Sequence, residues 1–155
     1  RARAFTGRHT MPKILKSGKV VVLLAGRHAG KKAVVVKTYD EGVAERKFGC
    51  CLVAGIARYP RKVTRGMSDK KMKKKSLVKP FVKYVNYNHI MPTRYQVDMT
   101  DALKKEITDV NSTEARKASC KGIKTVLQKR YLNQTTCKSE KFATGVSYFF
   151  TKLRF

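Results

Sequence analysis

Residues 18–39 read GKVVVLLAGRHAGKKAVVVKTY. Two short runs rich in Val, residues 19–25 and 32–39, flank a link that carries Gly26 and Gly30. Runs of this length and composition form strands rather than helices, because β-branched side chains suit a pleated surface and glycines mark the turn between them. Working outward, residues 50–56 (CCLVAGI) repeat the pattern, and residues 81–87 (FVKYVNY) and 94–98 (RYQVD) complete a set of five. Five short strands with tight links predict a small closed or nearly closed antiparallel barrel, which removes exposed sheet edges by pairing them.

The link itself, Gly26 to Lys32, superficially matches a phosphate-binding loop. A nucleotide-binding P-loop needs four residues between its glycines and a Ser or Thr after the Lys, and it opens a helix whose N-terminus holds the phosphates. Here only three residues separate Gly26 from Gly30, Lys32 follows Lys31, and a strand comes next. What survives is a tight turn that permits positive φ and close backbone approach, with Arg27, His28, Lys31 and Lys32 as phosphate donors.

Charge supplies the partner. The 155 residues include 36 Lys and Arg against 10 Asp and Glu, a formal net charge of +26. One domain fits this length, without room for a separate catalytic module. Apolar residues make up 42%, enough for a modest core. Self-repulsion of +26 calls for a polyanion, and nucleic acid is the commonest one in a cell. Cysteines at 50, 51, 120 and 137 lack both the CxxC spacing of a zinc site and the repeated spacing of a disulfide framework. They are expected to be reduced thiols, with neighbours Cys50 and Cys51 on opposite faces of a strand. The longest apolar run, Val20 to Ala25, is far short of the ~18 to 20 residues of a membrane span.

The charge is uneven. Residues 1–10, expected to be a disordered basic extension, carry +3, residues 11–97 carry +17 and residues 98–155 carry +6. Within the middle block, residues 58–83 hold eleven basic residues and the single acid Asp69. Repulsion should keep this insertion, at about 58–80, extended and mobile until phosphates neutralise it, and Arg65, Lys70, Lys71, Lys73, Lys74 and Lys75 are its candidate RNA contacts. After residue 98 the period changes. Ala115, Ala118, Gly122, Ile123, Val126, Leu127 and Tyr131 recur at helical spacing with basic residues between them, and Asn111 with Glu114 makes a plausible cap. A shorter helix is expected from about Asp101 to Val110. The ending VSYFFTKLRF interleaves aromatic and basic residues, as suits either a closing strand or an arm that stacks on bases.

Catalytic constellations are absent from the pattern. Of three His, His9 is in the extension and His89 sits in NYNHIMPTRY, where Pro92 suggests a packed corner. The ten acids are dispersed, so no carboxylate pair stands out. Neither a metal site nor a cofactor is expected, nor a small-molecule substrate.

The stretch from Gly18 to Lys37 resembles the KOW motif, two strands around a glycine-centred loop in SH3-like barrels of ribosomal and transcription proteins. Together with LVAGIARYPRKVT at 52–64, YNHIMPTRY at 87–95 and the ending FFTKLRF, it resembles the eukaryotic large-subunit ribosomal proteins of family twenty-seven, eukaryotic type. The resemblance runs through residues 11–98 and returns in the last seven, whereas 99–148 show only a basic helical pattern. It implies a mainly β fold with an α appendage: an SH3-like barrel over 11–98, then a helical C-terminal extension and tail over 99–155. It implies a cytosolic ribosome component that passes through the nucleolus during assembly and binds large-subunit ribosomal RNA and neighbouring ribosomal proteins, with no catalytic residue. Carried onto matching positions, Arg27, His28, Lys31 and Lys32 become the loop contacts, and Arg58, Arg61, Lys62 and Arg94 the flanking ones. Two rivals share the composition: a soluble KOW-containing transcription or RNA-processing factor, and a non-specific polycation.

Overall fold

In the computed structural model, which describes residues 14–43, 46–108, 110–133 and 139–154, successive valines of the first two strands point to opposite sides of one sheet, and both sides are dry. In β1 (Lys19–Leu23) and β2 (Lys32–Tyr39), Val20, Val34 and Val36 belong to one core while Val21, Ala33 and Val35 belong to another. In β3 (Cys50–Arg58), Leu52, Ala54 and Ile56 join the first, and Cys51 and Val53 the second. Double coverage is the reason these runs are continuously apolar: a strand with one wet face would alternate with polar residues.

Two further strands, β4 (Lys79–Asn86) and β5 (Ile90–Gln96), complete a five-stranded antiparallel sheet in the order β4-β3-β2-β1-β5. The sheet is not closed, and β4 and β5 are its edges. Phe81 and Val85 of β4 nevertheless share the inner core with Ile90 of β5, Val21 and Val35, so the sheet curls around its own centre as an SH3-like barrel does. The two edges are joined by a 3-10 turn, Tyr87–His89, pinned by the Asn86 side chain, which accepts from the Asn88 N–H at 3.0 Å. Pro92 does not make this corner, contrary to expectation. It lies inside β5 opposite Val21, where a residue without an N–H is tolerated because β5 is an edge.

Three helices cover the outer face. In α2 (Thr100–Glu106), α3 (Thr113–Leu132) and α4 (Glu140–Phe150), Leu103, Ile123, Leu127, Val146 and Phe149 are fully buried against the outer valines. Helical spacing puts Ile123 and Leu127 on one face of α3, one turn apart. The cap of α3 is Ser112, whose Oγ accepts from the Ala115 N–H at 3.1 Å, one residue beyond the expected Asn111. A Cβ at Gly122 would fall on the exposed Glu106 side chain, which marks where α2 and α3 meet.

Two expectations are corrected here. The C-terminal aromatic segment is neither strand nor free arm: Val146, Phe149 and Phe150 are the buried face of α4. The basic insertion is not wholly extended, because Asp69–Lys75 form a short helix, α1, without buried residues. Asp69 in its first turn and Lys73, Lys74 and Lys75 in its last complement the helix dipole, and the Arg61 N–H donates to the Lys75 carbonyl at 2.8 Å. The N-terminal extension, residues 1–10, lies outside the described residues, as does Cys137.

Candidate nucleic-acid interface

The β1–β2 loop is built on two left-handed glycines, Gly26 at φ 83° and Gly30 at φ 70°. Within it the Ala29 N–H donates to the Gly26 carbonyl at 3.0 Å and the Lys31 N–H to the His28 carbonyl at 3.1 Å; the Gly30 N–H ties back to Leu23 at 2.7 Å. This tight frame leaves Arg27 exposed and lays the half-buried His28 ring on Phe81, centroids 3.9 Å apart and planes 3° from parallel. Burial lowers the His28 pKa, and repulsion from Lys83, Arg27 and Lys31 lowers it further, so the ring is neutral at neutral pH. An uncharged imidazole among cations offers an aromatic surface and a single N–H donor, without a charge to neutralise a phosphate.

Lys32 departs from its expected role. It is 1% exposed, and its Nζ donates to the carbonyls of Tyr148 and Thr151 at 2.6 Å each, while lying 3.7 Å from the centroid of the Tyr148 ring. The Tyr148 carbonyl, in the last turn of α4, also accepts from the Thr151 N–H at 3.3 Å, and Thr151 is the residue that caps the helix, so the ammonium sits at its negative dipole end. Burial pushes the amine down to about 8, while the carbonyls and ring favour its charged form. Lys32 therefore fastens α4 to the barrel and is not presented to a ligand.

The remaining cations fall into two groups. Arg27 and Arg58 meet Arg46, Lys79, Lys83 and Arg116 along a cavity of about 890 Å³ beside edge strand β4, together with His28 and Tyr84. Among the described residues, no acid lines it. A second cavity, about 440 Å³, shares Lys79, Pro80, Arg116 and Cys120 with the first and adds Lys117, Lys121 and Lys124 of α3, whose aliphatic stems wall it, so the two form one trough between β4 and α3 rimmed by cations. Arg116 is aimed by donating through Nε and Nη2 to the Val110 carbonyl, at 3.1 and 2.8 Å. The guanidinium of Arg46 lies 5.0 Å from the Tyr84 ring centroid, and its Nη1 is buried without a hydrogen-bond partner.

Arg46, Lys79, Lys83 and Arg116 were not among the individual RNA contacts chosen from the sequence, although Lys79 and Lys83 fall in the basic stretch 58–83 and Arg116 in the basic helical pattern. They come from three segments, Arg46 before β3, Lys79 and Lys83 on β4 and Arg116 on α3, and only the fold gathers them. The other sequence candidates lie apart from the trough. Arg61, Lys62 and Arg65 are exposed on the connection after β3; Lys70, Lys71, Lys73 and Lys74 are exposed and Lys75 half-buried on α1; half-buried Lys31 stands 5.9 Å from the Tyr59 ring centroid. Arg94 is exposed on the opposite edge strand, donating to the Tyr95 hydroxyl at 3.3 Å. Tyr59 is a core residue whose hydroxyl accepts from the Lys32 N–H at 2.8 Å, and Tyr87 donates to Asp40 at 2.9 Å. Cys50 and Cys51 are buried free thiols, and among the described residues no three His, Cys, Asp or Glu gather as a metal site. No helix among those residues is long and apolar enough to cross a membrane.

Residues 20–155 match the ribosomal L27e protein family. The chain is 50% identical over 146 residues to the large ribosomal subunit protein eL27 of Solanum tuberosum, 48% over 146 to that of Tetrahymena thermophila and 47% over 146 to that of Caenorhabditis elegans. Each alignment covers 94% of this chain and 100% of the relative. Identity near one half over the full length of such relatives leads to one conclusion: the chain belongs to the ribosomal L27e protein family.

Proposed function

We propose that the chain is a structural constituent of the cytosolic large ribosomal subunit that binds and stabilises large-subunit ribosomal RNA, without catalytic activity, beside neighbouring ribosomal proteins. The observation that carries this reading is the full-length match to relatives named as large-subunit ribosomal proteins. The net charge of +26 supports it, because so basic a chain needs a polyanion at hand. The barrel sets orientation while Arg27, Lys31, Arg58, Arg61, Lys62, Arg65, Lys70, Lys71, Lys73, Lys74, Lys75 and Arg94 displace counterions from the RNA backbone, with His28 among them as an uncharged contact. Assembly passes through the nucleolus. Sequence readout is minor, since A-form RNA is recognised largely by shape, 2′-hydroxyls and phosphates.

The test is to tag the chain, fractionate native cell extract on gradients at low and high salt, and measure its stoichiometry in each peak. About one copy per large subunit, retained at high salt where screening has removed loose polycations, is the expected result. Recovery mainly in light fractions with salt-labile RNA would overturn it in favour of a soluble RNA-binding factor.

A further inference from the structure

We propose that the trough between β4 and α3 holds a short stretch of unpaired RNA, with one base stacked on the outer face of His28 and the backbone following the cations toward Lys124. The proposal rests on the RNA-binding reading for its ligand class, and adds a site and a strandedness to it.

Three observations converge. The first is charge: Arg27, Arg46, Arg58, Lys79, Lys83 and Arg116 line the main cavity with no acid among the described residues there, and Lys117, Lys121 and Lys124 extend the same sign along about 10 Å of α3. A polyanion that follows this line meets a donor at nearly every step. The second is the ring pair. Phe81 is 6% exposed and covers one face of His28, so the exposure of the half-buried imidazole falls on its other face and edge. A flat uncharged ring set among cations is what a base needs in order to stack while its phosphates are neutralised alongside. A base inside a duplex has both faces covered by its neighbours and cannot use it, whereas an unpaired one can. An acidic peptide would satisfy the cations and leave the ring face unused. The third is Arg46, whose guanidinium lies 5.0 Å from the Tyr84 ring centroid, so a cation held on a second ring lines the same cavity.

The site is tested with the purified full chain and two labelled probes of equal length: a short oligoadenylate, and an abasic ribose-phosphate strand that keeps the charges but lacks the bases. The wild-type chain is expected to bind oligoadenylate more tightly. His28→Ala is expected to weaken oligoadenylate binding by about 5- to 150-fold, one stacked base, and to leave the abasic strand unaffected. His28→Phe, which restores a flat ring, is expected to recover the preference. Lys79→Gln and Lys83→Gln should weaken both probes alike, each reducing the slope of log K against log salt by about 0.7. Binding of the abasic strand is the control for folding in the two His28 variants, and an unchanged urea midpoint is the control for Lys79→Gln and Lys83→Gln. Equal wild-type affinity for the two probes, equal losses on both in His28→Ala, or no recovery in His28→Phe would overturn the proposal. A tagged chain that sediments with the large subunit but shows no base preference sinks this site alone. Base-dependent binding by a chain absent from the large subunit sinks the ribosomal reading alone.

Discussion

Replacing Gly145 by Ala should destabilise the chain, although helix propensity alone predicts the opposite. Gly145 is buried within α4, and at such a position Ala is worth about 0.8 to 1.0 kcal/mol over Gly. The structure places the Gln96 backbone carbonyl of β5 where the new Cβ would go. A backbone atom in a paired strand has no rotamer through which to give way, so α4 must lift from the sheet. Overpacking of this kind costs about 1 to 3 kcal/mol. The lift also loosens the Tyr95–Tyr148 ring stack, 4.0 Å between centroids and worth about 0.5 to 1.5 kcal/mol. It stretches the two Lys32 bonds at the end of α4 as well, each charge-assisted and worth about 1.5 to 3 kcal/mol when fully made. Partial loss of these contacts outweighs the propensity gain and leaves a net destabilisation of about 1 to 3 kcal/mol. With a urea m-value of about 2 kcal/mol per molar, the midpoint should fall by about 1 M. Thr144→Ala, at an exposed position of the same helix, is the control and should be neutral or stabilising by up to about 0.7 kcal/mol. A Gly145→Ala midpoint equal to or above wild type, with Thr144→Ala behaving as stated, would show that α4 is not seated against β5 as described.

Replacing Lys73, Lys74 and Lys75 of α1 together by Gln should lower the salt slope of RNA binding by about 2 to 3 in log–log titrations; an unchanged slope means α1 does not meet phosphates. Asp98 and Arg130 form an ion pair with side chains 9% and 15% exposed. Asp98→Ala should therefore cost about 3 kcal/mol by leaving a charge poorly compensated, and a double-mutant cycle with Arg130→Met in urea titrations should show coupling above about 1 kcal/mol. Burial pushes Cys51 and Tyr59 up to about 12 from ordinary values of 9.0 and 10.0. The unfolded chain sheds these protons first, so both groups favour the fold fully below pH 9, and that contribution is lost as pH rises toward 12. Cys51→Val should flatten the decline of urea midpoints between pH 9 and 11, and an unaltered decline would exclude Cys51 as a source.

The strands were legible because their signal is local: Val-rich runs separated by Gly, with Cys50 and Cys51 inside one of them. That the same runs carry two cores was also written there, in valines at adjacent positions such as Val34 and Val35, though a small barrel by itself would need only one. Segment α4 misleads for a physical reason. Phe142, Tyr148, Phe149 and Phe150 have high strand propensity, and the helix forms because Val146, Phe149 and Phe150 fall together on the outer valines and Lys32 caps its end. Local sequence contains neither fact. Charge density likewise drew attention to Lys70 through Lys75, where cations are consecutive. It did not pick out Arg46, Lys79, Lys83 or Arg116 as contacts, because these come from three segments that only the fold brings to one cavity. Lys32 shows the converse: the same residue type beside a glycine loop, turned inward by a partner more than a hundred residues away.

The two cores mature at different times during synthesis. All five strands lie within residues 19–96, whereas the helices that cover the outer face are not complete until residue 150. At about 5 to 20 residues per second, the outer face formed by Val20, Val34, Val36, Leu52, Ala54, Ile56 and Val82 stays uncovered for roughly 3 to 10 s in the nascent chain. During that interval an apolar sheet surface is open to other nascent copies and to chaperones. The +17 carried by residues 11–97 is already present, and like-charge repulsion holds such half-made sheets apart until α2, α3 and α4 close over them.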